Sequence, residues 1–278
     1  MLRLPGLAVP PRLGPGRFAS RAAITGGVVL SAPLLTGKRV FVTGGSRGLG
    51  RAFCERFARE GADIAFNFLQ DEKSAAETVK LIEGHGRKAL CYKASITDAG
   101  ALDKAARELE VVWGAAVDIL VNNAGISQVL PLSLMDEEDW DAVMDTNVKG
   151  AFLAVRAFAR GMIRRKSGVV LNIGSLAGER PIESPVHYAA SKAALRGMTE
   201  ALCKEFSRHN IRVNCLAPGL LDDGVARHLP PDKRKDYEDH VPLGRVGTVE
   251  EVAGLAAFMV SDRNSYMNGA TVVADGGL

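Results

Sequence analysis

Tyr188 and Lys192 stand four residues apart in Tyr-Ala-Ala-Ser-Lys. In a helix that spacing puts both side chains on one face. A free phenol, with a pKa of about 10, is poorly suited to exchanging protons near neutrality, and an ammonium beside it favours the phenolate. An acid–base catalyst works best with a pKa near the working pH, so the pair makes chemical sense. Upstream, an apolar run ends in Asn172-Ile173-Gly174-Ser175. A serine hydroxyl there can hold a substrate oxygen and stabilise charge developing on it. Tyr-x3-Lys alone is frequent by chance and usually marks a helix surface. His187 reads as an ordinary helix-start residue and Ser191 as structural.

A second cluster suits an anion. An apolar run at residues 39–43 leads into Gly44-Gly45-Ser46-Arg47-Gly48-Leu49-Gly50 and then into a helical pattern. Glycines allow the backbone to approach a pyrophosphate closely, and the new helix offers free N–H groups to it. The spacing is Gly-x3-Gly-x-Gly. With Thr43 ahead of it, and with Asn122-Asn123-Ala124-Gly125, Ser175, Tyr188 and Lys192 following in order, the chain resembles the classical short-chain dehydrogenase/reductase family. The thirteen-residue gap from Ser175 to Tyr188 is the family's own.

That resemblance implies a hydride-transfer enzyme using a nicotinamide cofactor. Ser175 would hold the substrate oxygen and Tyr188 would give it a proton. Lys192 would assist Tyr188 and hold the nicotinamide ribose, while Asn147 would complete a proton relay through a water. Gly44, Ser46, Arg47, Gly48, Leu49, Gly50, Asn67, Ser95, Ile96, Asn123, Ala124, Gly125, Pro218 and Gly219 would line the cofactor together with Tyr188 and Lys192. An acid ending the second strand binds the ribose 2′-hydroxyl in NAD-specific folds. Phe68 occupies that place here, and Arg47 offers a charge suited to a phosphate, so the expected cofactor is NADP(H). Asp71 and Glu72 pull the other way. The family's usual Thr after the Pro-Gly turn is Asp223, and its usual Asp after the third strand is Ser95.

These residues need elements to hold them. Strand-like runs at 39–43, 63–68, 89–92, 118–121, 168–173, 212–216 and 271–274 are nearly continuous in apolar character, as strands covered on both faces should be. Between them, helical periodicity marks 48–60, 72–84, 99–113, 137–162, 188–209 and 249–260. The alternation predicts an α/β fold, a single Rossmann-type doubly wound parallel sheet with helices on both faces. Residues 221–247, rich in charge and Pro, read as an irregular insertion over the substrate cleft. Residues 34–278 make one NADP-binding domain, preceded by an Arg/Pro/Gly-rich extension at 1–33.

A chain of 278 residues with 47% hydrophobic content can bury its core without staples. Its four cysteines show no metal or redox spacing, and no Cys/His ligand cluster is present, so no metal is expected. The net charge of +3 is misleading. Residues 1–37 hold four arginines and no acid, so the remainder carries one more acid than base. Neither nucleic acid nor a membrane is expected as a partner. The leader's composition suits a mitochondrial presequence, but its prolines oppose the usual amphipathic helix. A cytoplasmic location is expected, with the mitochondrial matrix as the alternative.

Pro242-Leu243-Gly244-Arg245 and the ending Val273-Ala274-Asp275-Gly276-Gly277 resemble the 3-oxoacyl-[acyl-carrier-protein] reductase group. The resemblance implies a small-molecule or carrier-bound carbonyl substrate and a homotetramer or homodimer. An acidic carrier would call for cations near the cleft, and Arg164, Arg165, Lys166, Lys233, Arg234 and Lys235 are the candidates. Dehydrogenation of another secondary alcohol, or binding of NADP(H) without turnover, remain as alternatives.

Overall fold

A computed structural model describes residues 32–224 and 231–278. The leader expectations therefore lie outside the described residues. Seven strands form one parallel sheet: β1 (Arg39–Val42), β2 (Asp63–Phe68), β3 (Ala89–Lys93), β4 (Ile119–Asn122), β5 (Gly168–Ile173), β6 (Ile211–Pro218) and β7 (Thr271–Ala274). Their order is β3-β2-β1-β4-β5-β6-β7, with every pair parallel. The chain winds outward from β1 and then returns to β4. A crevice opens beyond the strand ends at that reversal, where such sheets bind ligands.

Alternation within β1 shows how the two faces are filled. Val40 and Val42 join the core under α1 (Gly48–Arg59), α2 (Glu72–Gly84) and α8 (Val249–Val260). Phe41, between them, joins the opposite core under α3 (Ala99–Trp113), α5 (Gly150–Arg165) and α6 (Val186–Phe206). Period-two side-chain direction makes one apolar run serve both layers. A buried polar chain ties β4, β5 and α6 together: Asn122 Nδ2 donates to Asn172 Oδ1 at 2.8 Å, and Asn172 Nδ2 to Thr199 Oγ1 at 2.8 Å. Among the described residues, no helix is long and apolar enough to cross a membrane.

Three stretches differ from expectation. The helix anticipated at 137–162 is two, α4 (Glu137–Met144) and α5, joined by a wide turn over Asp145–Lys149 in which Gly150 N–H reaches back to Asp145 O. Such a turn inserts one residue without breaking the apolar stripe, so periodicity does not reveal it. The stretch read as irregular contains α7 (Pro231–His240). This helix buries no residue and has no apolar stripe to detect. Its signals are a Pro at the first position and the i,i+4 pairs Arg234–Glu238 and Asp236–His240. Finally, α6 starts two residues before Tyr188, at Val186.

Candidate active site

The turn after β5 and the first half of α6 converge on Lys192. Its Nζ donates to Ile173 O at 2.8 Å, and only 5% of the residue is exposed. Gly178, on the other side of Ser175, lies so close to α6 that an added Cβ would meet the Lys192 backbone at 2.7 Å. Ser175 is thus bracketed by two contacts to the same lysine. Its Oγ accepts from Ala177 N–H at 3.2 Å, which leaves the hydroxyl proton free to donate. The Lys192 Nζ lies 5.6 Å from the centroid of the half-buried Tyr188 ring. An ammonium has three donors; one is spent on Ile173, which leaves two.

Asn147 sits in the wide turn, 1% exposed. Its Nδ2 donates to Ile126 O at 3.0 Å and to Ser191 Oγ at 2.9 Å, and its Oδ1 accepts from Ile126 N–H at 2.8 Å. The amide is a strut between the segment after β4 and α6. A water relay through Asn147 has only one Oδ1 lone pair and the backbone to use. Gly125 keeps this corner open, for a Cβ there would lie 3.1 Å from Asn147 Oδ1 and 3.6 Å from Lys192 Nζ.

The glycine turn is built to bring backbone close. A Cβ on Gly50 would fall 2.1 Å from Gly44 O and 2.6 Å from Asn123 Nδ2. Thr43 Oγ1 accepts the N–H groups of both Asn123 and Ala124 at 2.9 Å, stitching this turn to the segment after β4. Arg47 is the α1 N-cap residue, is exposed, and gives no side-chain cap; no acid occupies the first turn. The free N–H groups and positive end of α1 are therefore open to an anion. This uncapped start beside a glycine cradle fits a dinucleotide pyrophosphate. Arg47 shares a cleft with Asp71, Ser74, Asp223 and the start of α8. Asp71 is the N-cap of α2, accepting from Ser74 N–H at 2.9 Å. Those Ser74 bonds, with Arg47 adding to them, hold its carboxyl below the usual range. Its presence is thus explained by helix capping.

The other expected cofactor-lining residues differ in exposure. Asn67 is 3% exposed, with Oδ1 accepting from Gly44 N–H at 3.1 Å and Nδ2 donating to Ala94 O at 2.9 Å. It shapes the turn from behind. Ile96 is 7% exposed and packs on Gly150, whereas Ser95 is half-buried with its Oγ bonded to Thr97 Oγ1. Ser46 is buried and Leu49 half-buried. Pro218 ends β6, and Gly219 N–H donates to Ala274 O at 2.9 Å.

Sequence reasoning missed Tyr237, whose OH accepts from Leu220 N–H at 2.9 Å and ties α7 to the Pro218-Gly219 turn. Burial, with Asp275 adding to it, pushes this phenol up against the opposing pull of that N–H, so it is a poor proton donor. Only a helix at 231–240 could have signalled it. Cys215 packs on Gly174, and burial pushes its thiol up to about 11, which makes it a poor nucleophile. Of the six candidate docking cations, four are engaged internally: Arg164 with Glu110, Arg165 with Asp118, Lys233 with Glu183 and Arg234 with Glu238.

A family model described as Enoyl-(Acyl carrier protein) reductase matches residues 44–278. A 3-oxoacyl-[acyl-carrier-protein] reductase of Chlamydia muridarum is 36% identical over 245 residues, covering 88% of this chain and 98% of that one. The 3beta-hydroxysteroid dehydrogenase 1 of Eggerthella lenta is 37% identical, covering 88% and 94%. Among solved structures, a gluconate 5-dehydrogenase from Burkholderia cenocepacia, in complex with NADP and tartrate, superposes with a TM-score of 0.83 at 34% identity, covering 89% and 97%.

Proposed function

The chain belongs to the short-chain dehydrogenase/reductase family, oxidoreductases of the carbonyl/alcohol pair, and from that premise we propose that it uses NADPH to reduce the 3-oxo group of an acyl thioester. The observation that carries the reading is the convergence of Ser175, Tyr188 and Lys192 beyond the end of β5, in a chain whose glycine turn after β1 opens an uncapped helix start. Arg47 in the cleft beside the glycine turn, and the ending of β2 in Phe68 rather than an acid, support the phosphorylated cofactor.

When bound, the cofactor supplies the hydride. Gly44, Gly48 and Gly50 with the α1 N–H groups would hold its pyrophosphate, and Lys192 its ribose. Ser175 Oγ–H donates to the substrate oxygen and stabilises negative charge as it develops. Tyr188 delivers the proton to that same oxygen. Lys192 keeps a positive charge beside the phenol, and Asn147 fixes the corner between them. The thioester substrate is supported by the Chlamydia relative. The Eggerthella relative, equally similar, favours a second reading in which the substrate is another secondary alcohol or its ketone.

The test is NADPH consumption with acetoacetyl thioester against a panel of free ketones, repeated with NADH and with Tyr188→Phe. Turnover with the thioester is expected, preferring NADPH, and Tyr188→Phe should lower kcat by about 10²–10⁴-fold. A flat response to thioesters with turnover of a ketone selects the second reading. Unchanged turnover in Tyr188→Phe would end the mechanism.

A further inference from the structure

Tyr188 lies in the first turn of α6, and the residue ahead of that turn does not cap it. Pro185 at the N-cap position makes no side-chain bond, and a helix start leaves its first N–H groups unmatched unless something accepts from them. Here His187 does: its Nδ1 accepts from Tyr188 N–H at 2.8 Å. His187 is fully buried, and its Nε2 has no hydrogen-bond partner among the described residues. Because Nδ1 accepts, the ring proton sits on Nε2, and the chain keeps an unmatched donor in its interior. Leucine would fill much of this space without that cost. What histidine adds is the acceptor for the Tyr188 amide.

The carbonyl of the same residue is held from the other side. Ser191 Oγ donates to Tyr188 O at 2.7 Å and accepts from Asn147 Nδ2 at 2.9 Å. Side chains therefore grip both the N–H and the C=O of Tyr188, at a place where the helix ladder supplies no acceptor for the N–H. We propose that His187 is a positioning residue: its imidazole fixes the Tyr188 backbone and so the direction in which the phenol leaves α6 toward Ser175 and Lys192. This rests on Tyr188 being the proton donor. Displacing a reacting group by about 1 Å can cost about 10²-fold in rate, which makes such a grip useful where ordinary caps are missing.

Three substitutions separate this role from simple space-filling. Asparagine places an oxygen on Cγ, where Nδ1 stands; glutamine places its amide further out, near Nε2; leucine places neither. In His187→Leu and His187→Gln, kcat is expected to fall about tenfold, with the NADPH dissociation constant, read by fluorescence, within about twofold of the parent. His187→Asn should recover most of the lost rate. The solvent deuterium isotope effect on kcat should rise in the Leu and Gln variants, because a displaced phenol slows proton transfer relative to hydride transfer. A purely structural role lowers the amount of active protein and leaves the isotope effect where it was.

Equal rates in the Asn and Gln variants, or an unmoved isotope effect, would overturn the proposal. Should the Leu variant not fold, the Asn/Gln comparison decides alone. Tyr188→Phe is run alongside. If it retains its rate, the reading of Tyr188 falls and takes this role with it. If it is inactive while all three His187 variants match the parent, only the positioning role falls.

Discussion

Two kinds of helix start border the crevice. Asp71, Asp98, Asp136 and Thr248 cap α2, α3, α4 and α8, each accepting a backbone N–H from the first turn, and α4 and α8 complete reciprocal capping boxes. By contrast, α1 and α6 start from Arg47 and Pro185 with no side-chain cap, and neither has an acid in its first turn. These two starts carry the glycine turn and Tyr188. A cap at α1 would consume the N–H groups that an anion needs. A cap at α6 would come from outside the turn that aims the phenol. Side-chain caps are missing at the two starts where the proposed cofactor and proton-donor sites lie, and present at the neighbouring starts.

The largest break in this contrast should come from Gly50. In Gly50→Ala the new Cβ cannot coexist with Gly44 O at 2.1 Å, and because that oxygen belongs to the backbone, the turn itself must move. Overpacking of this kind costs about 1–3 kcal/mol, and falling on the phosphate cradle it should weaken NADPH binding by about 10- to 100-fold. A fluorescence titration that finds affinity within about twofold of the parent would show that the uncapped start is not where the cofactor sits.

A capped start should behave in the opposite way. Asp98 accepts from Ala101 N–H at 3.0 Å at the head of α3. Asp98→Ala removes that cap and should cost about 1 kcal/mol of stability, visible as a lower urea midpoint with unchanged slope. The kcat should stay where it was. A variant that kept its stability and lost its rate would erase the distinction between the two kinds of start.

The strands and most helices were legible because buried parallel strands are apolar throughout and amphipathic helices repeat every 3.6 residues. Ser175, Tyr188 and Lys192 were legible because order and spacing reflect a topology that the sheet then enforces. The wide turn at Asn147 was not, since it preserves the apolar stripe on either side. Helix α7, and Tyr237 with it, was hidden because no residue on it is fully buried and it carries no apolar stripe. The burial of the Asn67 amide and of the His187 ring was not legible either, because a polar residue beside a motif shows its hydrogen-bond partners only in three dimensions.

The smallest effect should be a pH dependence at α8. Glu251 accepts from Arg245 Nη2 at 2.7 Å, from Arg245 Nη1 at 2.9 Å and from Thr248 N–H at 2.9 Å. The Arg245 bonds, followed by the Thr248 N–H, pull its carboxyl from 4.5 down to about 2. A carboxyl whose folded pKa is depressed contributes fully above its unfolded pKa and loses that contribution as pH falls through the folded one. The capping box should therefore help at neutrality, weaken from about pH 4.5 downward, and contribute nothing below about 2. Glu251→Gln keeps a carbonyl for Thr248 N–H but cannot titrate. Its melting temperature should lie below the parent's at pH 7, and the two curves should converge as acid is added. Since Glu251 is exposed, screening keeps the gap small. Parallel curves across that range would mean that Arg245 and the cap hold α8 without help from the charge, and that the capped starts owe their stability to hydrogen bonding alone.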